Sequence, residues 1–232
     1  MTTVLMLITA ADHWTLADGT AQPTGFWAEE ALGPYKAFKD ADYKITVATP
    51  GGIVPTVDAQ SLSADFNGGE EGAENMRKAL AAATELKAPI DIADARPEDY
   101  DIVFVPGGWG PMEDLPDNRD AGRFLTTFAE TGQPLALVCH GPVALLSTIN
   151  ETGHSPFEGY RLTALSNAEE KANGLADRAK WLLQDRLLSD LHVDYVEADP
   201  FTPHVVVDRN LYTGQNPASA TPLAQKVVDS IS

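Results

Sequence analysis

The chain has 232 residues, 44% of them apolar, and carries 34 acidic against 16 basic side chains, for a formal charge of −18. That length and apolar content allow one large domain with a substantial core, and the charge argues against nucleic acid or an anionic membrane surface as partner. The apolar run over residues 1–11 is too short to span a bilayer and has no basic start, so a cytoplasmic protein is expected, its single cysteine kept reduced.

Residues 4–9 read as a first buried strand, and residues 10–25 as a polar loop long enough to help line a site. A helix begins over residues 25–32, with Trp27, Ala31 and Leu32 on its apolar face. Gly33-Pro34 then predicts a kink or a restart. Glu29 and Glu30 project about 100° apart on that helix, so they cannot face the same place. A surface role is the default for each, and an inward Glu30 would need partners and would therefore imply function.

Residues 43–48 alternate as a second strand. Residues 53–87 read as an insertion that covers the sheet edge or shields a pocket; it holds the acidic loop Gly68-Gly69-Glu70-Glu71-Gly72 and a helix over 75–86. At residues 101–110 a strand runs straight into Pro106-Gly107-Gly108-Trp109-Gly110, where backbone N–H groups can approach a ligand without Cβ obstruction. Neither a dinucleotide fingerprint nor a P-loop is present, so an oxyanion hole or a simple tight turn fits better than a phosphate cradle. A helix over 118–131 follows.

The most informative stretch is residues 134–146. An apolar strand ends abruptly in Cys139-His140-Gly141-Pro142, and a helix with proline in its first turn starts at once. Cys139 then sits on a sharp strand-to-helix turn, the logic of a nucleophile elbow. A helix N-terminus and an adjacent histidine both favour thiolate over thiol, so a depressed thiol pKa is expected. Beyond the elbow, residues 160–165 read as a short strand. Ser166 or Asn167 caps a helix whose first turn holds Glu169 and Glu170. An amphipathic helix over 181–191, strands over 195–198 and 205–207, and a last helix after residue 219 complete the chain. The alternation, with no repeat or linker, predicts a single three-layer α/β/α domain over residues 1–232 with a mainly parallel sheet.

Several stretches together resemble the PfpI/DJ-1 superfamily, and within it the chaperone-like, glutathione-independent glyoxalase III branch. They are Thr24-Gly25, Glu30-Ala31-Leu32-Gly33-Pro34, Phe104-Val105-Pro106-Gly107-Gly108, Val138-Cys139-His140-Gly141-Pro142, Glu169-Glu170 and Thr213-Gly214-Gln215-Asn216-Pro217-Ala218-Ser219. The resemblance implies a flavodoxin-like sandwich and a homodimer. It makes Cys139 the nucleophile, His140 its catalytic neighbour and Glu30 the carboxyl that contacts the cysteine. Glu170, by its distance to Gly174, becomes the partner of the histidine, with Glu169 as the alternative register. Gly108 of the Gly107-Gly108 turn becomes an oxyanion donor, with the His140 N–H as a second.

The activity implied is conversion of methylglyoxal or a related 2-oxoaldehyde, a small-molecule substrate, to the 2-hydroxy acid. Cys139 adds to the aldehyde, His140 moves a proton through an enediol, and water releases the product. The redox change is internal to the substrate, so no cofactor, metal or glutathione is expected. A holdase chaperone would instead need an exposed apolar patch, and a redox-responsive protein a readily oxidised Cys139. A Cys hydrolase is a further alternative. A glutamine amidotransferase would need a late His-x-Glu, for which only His192-Val193-Asp194 stands in. His13, His154 and His204 are too scattered to suggest a metal site.

Overall fold

The computed structural model describes residues 1–231. In chain order the strands are β1 (Thr3–Leu7), β2 (His13–Thr15), β3 (Ala21–Pro23), β4 (Lys44–Thr49), β5 (Ile90–Asp91), β6 (Ile102–Val105), β7 (Leu135–Val138), β8 (Arg161–Leu162), β9 (Asp194–Tyr195), β10 (Val205–Asp208) and β11 (Leu211–Gly214). The α-helices are α1 (Ala28–Asp40), α2 (Glu70–Ala82), α3 (Pro111–Asp114), α4 (Arg119–Glu130), α5 (Asn167–Ala172), α6 (Leu183–Ser189) and α7 (Ala220–Ile231). None of the helices among the described residues is long and apolar enough to cross a membrane.

Seven strands form one sheet in the order β10-β11-β7-β6-β1-β4-β5. Every neighbouring pair is parallel except β10 with β11. Strands buried on both faces send alternate side chains to two cores. On β1, Val4 and Met6 pack with Phe38 of α1 and Leu223 of α7, whereas Leu5 and Leu7 pack with Phe124 and Phe128 of α4 on the other side. Helices therefore cover both faces, the α/β/α sandwich that the alternation of apolar segments predicts. In such a sheet the crevice for ligands lies beyond the carboxyl ends of the strands. Here β6 runs into Gly107-Gly108 and β7 into Cys139 at that edge.

Four local expectations need correction. α1 runs unbroken through Gly33 and Pro34. Proline removes one N–H from the helix ladder, and burial of Ala31, Leu32, Pro34 and Phe38 on that helix outweighs the loss. α2 starts at Glu70, earlier than the apolar pattern suggested, because two acidic residues are stabilising in the first turn of a helix; the supposed acidic loop is thus partly helix. The segment after Cys139, Gly141–Thr148, winds as a 3₁₀ helix and not an α-helix. Finally, residues 10–25 include the β2-β3 ribbon, and Asp12, Gln22, Pro23 and Thr24 line a neighbouring cavity that shares Gln60, Trp109 and Asn173 with the one beside Cys139.

Candidate functional site

Cys139 occupies the first residue beyond β7 and has φ of +59°. A left-handed backbone is unfavourable for a residue with a Cβ and persists only where its surroundings fix it. Two hydrogen bonds do so: the Cys139 N–H donates to Gly214 O at 2.9 Å, and its carbonyl accepts from Leu165 N at 2.9 Å. The elbow expected from the sequence is therefore present, with its backbone tied to residues on either side.

His140 Nδ1 lies 3.6 Å from Cys139 Sγ, and its Nε2 lies 2.5 Å from Glu170 Oε2. The other oxygen of Glu170 accepts Trp109 Nε1–H at 2.7 Å. Burial acts to raise the Glu170 pKa, but His140 and the Trp109 donor hold it below the ordinary carboxylate value. Cysteine, histidine and glutamate thus form a continuous line, with Trp109 fixing the far end. Trp109 follows the Gly107-Gly108 turn directly. Nothing local in the sequence indicates that its indole reaches an acid 61 residues away.

Glu30 faces inward and is fully buried. Its Oε2 accepts Gly107 N–H at 2.7 Å, while Oε1 has no hydrogen-bond partner among the described residues. Burial raises its pKa to about 8, with the Cys139 thiol and the Gly107 N–H pulling the other way. The thiol itself does not meet the expectation of a depressed pKa. Burial and the neighbouring Glu30 carboxylate push Cys139 well above the usual cysteine value, against a lowering hydrogen bond from the Gly108 backbone. The two groups are coupled, and the proton belongs to the pair.

The glycines of the turn are required by close approach. A Cβ on Gly107 would lie 2.6 Å from His140 N and 2.7 Å from Glu30 Oε2, and one on Gly108, where φ is +94°, would lie 2.5 Å from Gly25 O.

The acidic pair after Ser166 divides its roles. Glu170 meets the histidine, as the preferred register required. Glu169 is buried and accepts hydrogen bonds from Ser166 N and Oγ, Gln215 Nε2, Phe201 N and Asn216 Nδ2. It also completes a capping box with Ser166, a signal that its three-residue spacing carries. It is therefore not the neutral neighbour its position suggests. Glu169→Gln turns an NH₂ group toward donors and leaves at least two buried polar groups unpaired, at about 1–3 kcal/mol each. The expected result is a loss of roughly 3 kcal/mol, read as a fall in Tm of roughly 6–12 °C in a thermal melt.

A cavity of about 510 Å³ opens over Cys139 and His140. Its walls include Trp27, Glu29 and Glu30 from the start of α1, Trp109, Leu165 and Phe201, and Gln60 and Phe66 from the segment between β4 and α2. Glu29, for which a surface role is the default, lines the cavity instead, and burial raises its pKa. His192 is not among the lining residues.

A model of the DJ-1/PfpI family matches residues 22–230. Glyoxalase 3 of Candida albicans is 30% identical over 98% of this chain and 98% of its own length. The protein/nucleic acid deglycase HchA of Staphylococcus aureus is 27% identical over 98% of this chain and 79% of its own. The crystal structure of glyoxalase III from Candida albicans superimposes with a TM-score of 0.85 at 28% identity, covering 99% of this chain and 97% of that one.

Proposed function

The chain belongs to the DJ-1/PfpI family, and from that premise we propose that it is a glutathione-independent glyoxalase converting methylglyoxal or a related small 2-oxoaldehyde to the 2-hydroxy acid. The observation that carries this reading is the unbroken line from the Cys139 sulfur through His140 to Glu170 at the floor of a cavity. Near-full-length similarity to a glyoxalase supports it.

Cys139 Sγ bonds to the aldehyde carbon to give a hemithioacetal. The Gly108 N–H, joined by that of His140, stabilises charge on the former carbonyl oxygen. His140, oriented by Glu170, removes the proton from the hemithioacetal carbon and returns it to the adjacent carbon through an enediol. The result is a 2-hydroxyacyl thioester. Water cleaves it, giving the hydroxy acid and freeing Cys139; one carbon has been oxidised and its neighbour reduced, so no external electrons are needed. Glu30 supplies or accepts the proton that the thiol exchanges.

The same reading takes residues 1–232 as one domain with 53–87 as its covering insertion. It has the protein act in the cytoplasm as a homodimer on small molecules, without nucleic acid or membrane partners, in keeping with its charge of −18. Similarity to a protein named as a protein/nucleic acid deglycase favours a second reading, removal of a 2-oxoaldehyde adduct from an amine. The test is to incubate purified protein with methylglyoxal, free of glutathione and after chelation, and to follow the hydroxy acid. Stoichiometric excess of product over protein is expected. Release of product only from a preformed amine adduct would favour the second reading.

A further inference from the structure

A row of rings leads from solvent to the histidine. Phe66, 59% exposed, stands edge-on to Trp27 with centroids 5.0 Å apart, and Trp27 stands edge-on to Trp109 at 6.3 Å. Trp109 lies 5.8 Å from the His140 ring. Phe201, 50% exposed, adds a second phenylalanine to the cavity wall. Burying a phenylalanine side chain is favourable, so two left open at one cavity mouth are apolar surface that a ligand can cover. A triose-sized aldehyde fills little of 510 Å³ and, once joined to Cys139, leaves the outer rings untouched. Among the described residues no lysine or arginine lines the cavity, whereas Glu29 does.

We infer that the preferred substrates are 2-oxoaldehydes with a bulky, uncharged apolar group, typified by an aromatic ring, lying along Phe66 and Trp27. This rests on the glyoxalase reading and narrows its substrate class. The aldehyde end reaches Cys139, and the ring stays against the outer aromatics, where offset or edge-on contact adds to the gain from burial. A carboxylate on the substituent meets Glu29 with no cation to offset it. The chemistry is unchanged: phenylglyoxal plus water gives mandelate.

The experiment compares kcat/KM for methylglyoxal, phenylglyoxal and 4-carboxyphenylglyoxal in the wild type, in the double variant Phe66→Ala with Phe201→Ala, and in Glu29→Gln. The phenylglyoxal-to-methylglyoxal ratio is expected to be at least about tenfold in the wild type and to fall about tenfold in the double variant. The carboxylated substrate should be at least about tenfold worse than phenylglyoxal, with part of the deficit recovered in Glu29→Gln. A ratio unchanged in the double variant, or equal losses for both uncharged substrates, overturns the inference while leaving the glyoxalase reading intact. If the wild type turns over none of the three, the glyoxalase reading fails instead. Protection of Cys139 from iodoacetamide by acetophenone but not acetone then still reports the aromatic preference, and equal protection overturns it.

Discussion

Cys139→Ala is expected to lower hydroxy-acid formation by roughly 10⁴-fold or more while leaving the fold intact. The side chain is small and forms no disulfide, and its backbone bonds to Gly214 and Leu165 do not involve the sulfur. The proposed route has no step without a covalent adduct, so His140 acting alone on free aldehyde should contribute little. The measurement is product formation over hours at high protein concentration, paired with a thermal melt. A folded variant retaining a tenth of wild-type activity would remove Cys139 from the nucleophile's role.

Glu30→Gln should lower kcat by about 10²-fold, in the range of a lost proton-transfer group, and should also change how the thiol titrates. In the wild type, Glu30 keeps its proton up to about 8. Its ionisation then opposes that of the sulfur beside it, so alkylation of Cys139 against pH should be broad or two-stepped. The amide of Gln mimics the protonated carboxyl but does not titrate, so the variant should show a single step. Stability supplies an independent sign. A carboxyl whose pKa rises from 4.5 to about 8 on folding contributes stability that is fully present below the lower value and is lost as pH rises through the higher. Wild-type Tm should therefore fall between about pH 5 and 8.5 more than that of Glu30→Gln. Identical slopes, with one-step alkylation in both proteins, would show that the pair is not coupled.

Much of this was legible in the chain because the informative signals were local. Apolar runs ending in Gly-Gly and in Cys-His-Gly-Pro mark strand ends, and in a parallel sheet strand ends of like sense gather at one edge. The inward turn of Glu30 did not follow locally: a surface role is the default for an acid there, and only the resemblance to the family set its carboxyl against the cysteine. What escaped was either long-range or a competition between local effects. Trp109 reaches Glu170, and Phe201 N reaches Glu169, across chain separations that no pattern encodes. The raised thiol of Cys139 reflects burial and a neighbouring acid outweighing a hydrogen bond from the Gly108 backbone, a balance that residue types alone leave undecided. Pro34 sits inside a helix for the same kind of reason: tertiary contact with α7 decides what propensity leaves open.

The two tethers on the Cys139 backbone also bear on how this architecture can diversify. Gly214 ends β11 and Cys139 follows β7, two strands paired in parallel within the sheet. The rings at the mouth come from elsewhere: Phe66 precedes α2, and Phe201 lies between β9 and β10. Insertions or exchanges in those outer segments can reshape what enters without moving the sulfur relative to its histidine. The two exposed rings at the mouth thus lie in other segments than the Cys-His-Glu line, and selection can act on them while holding that line still.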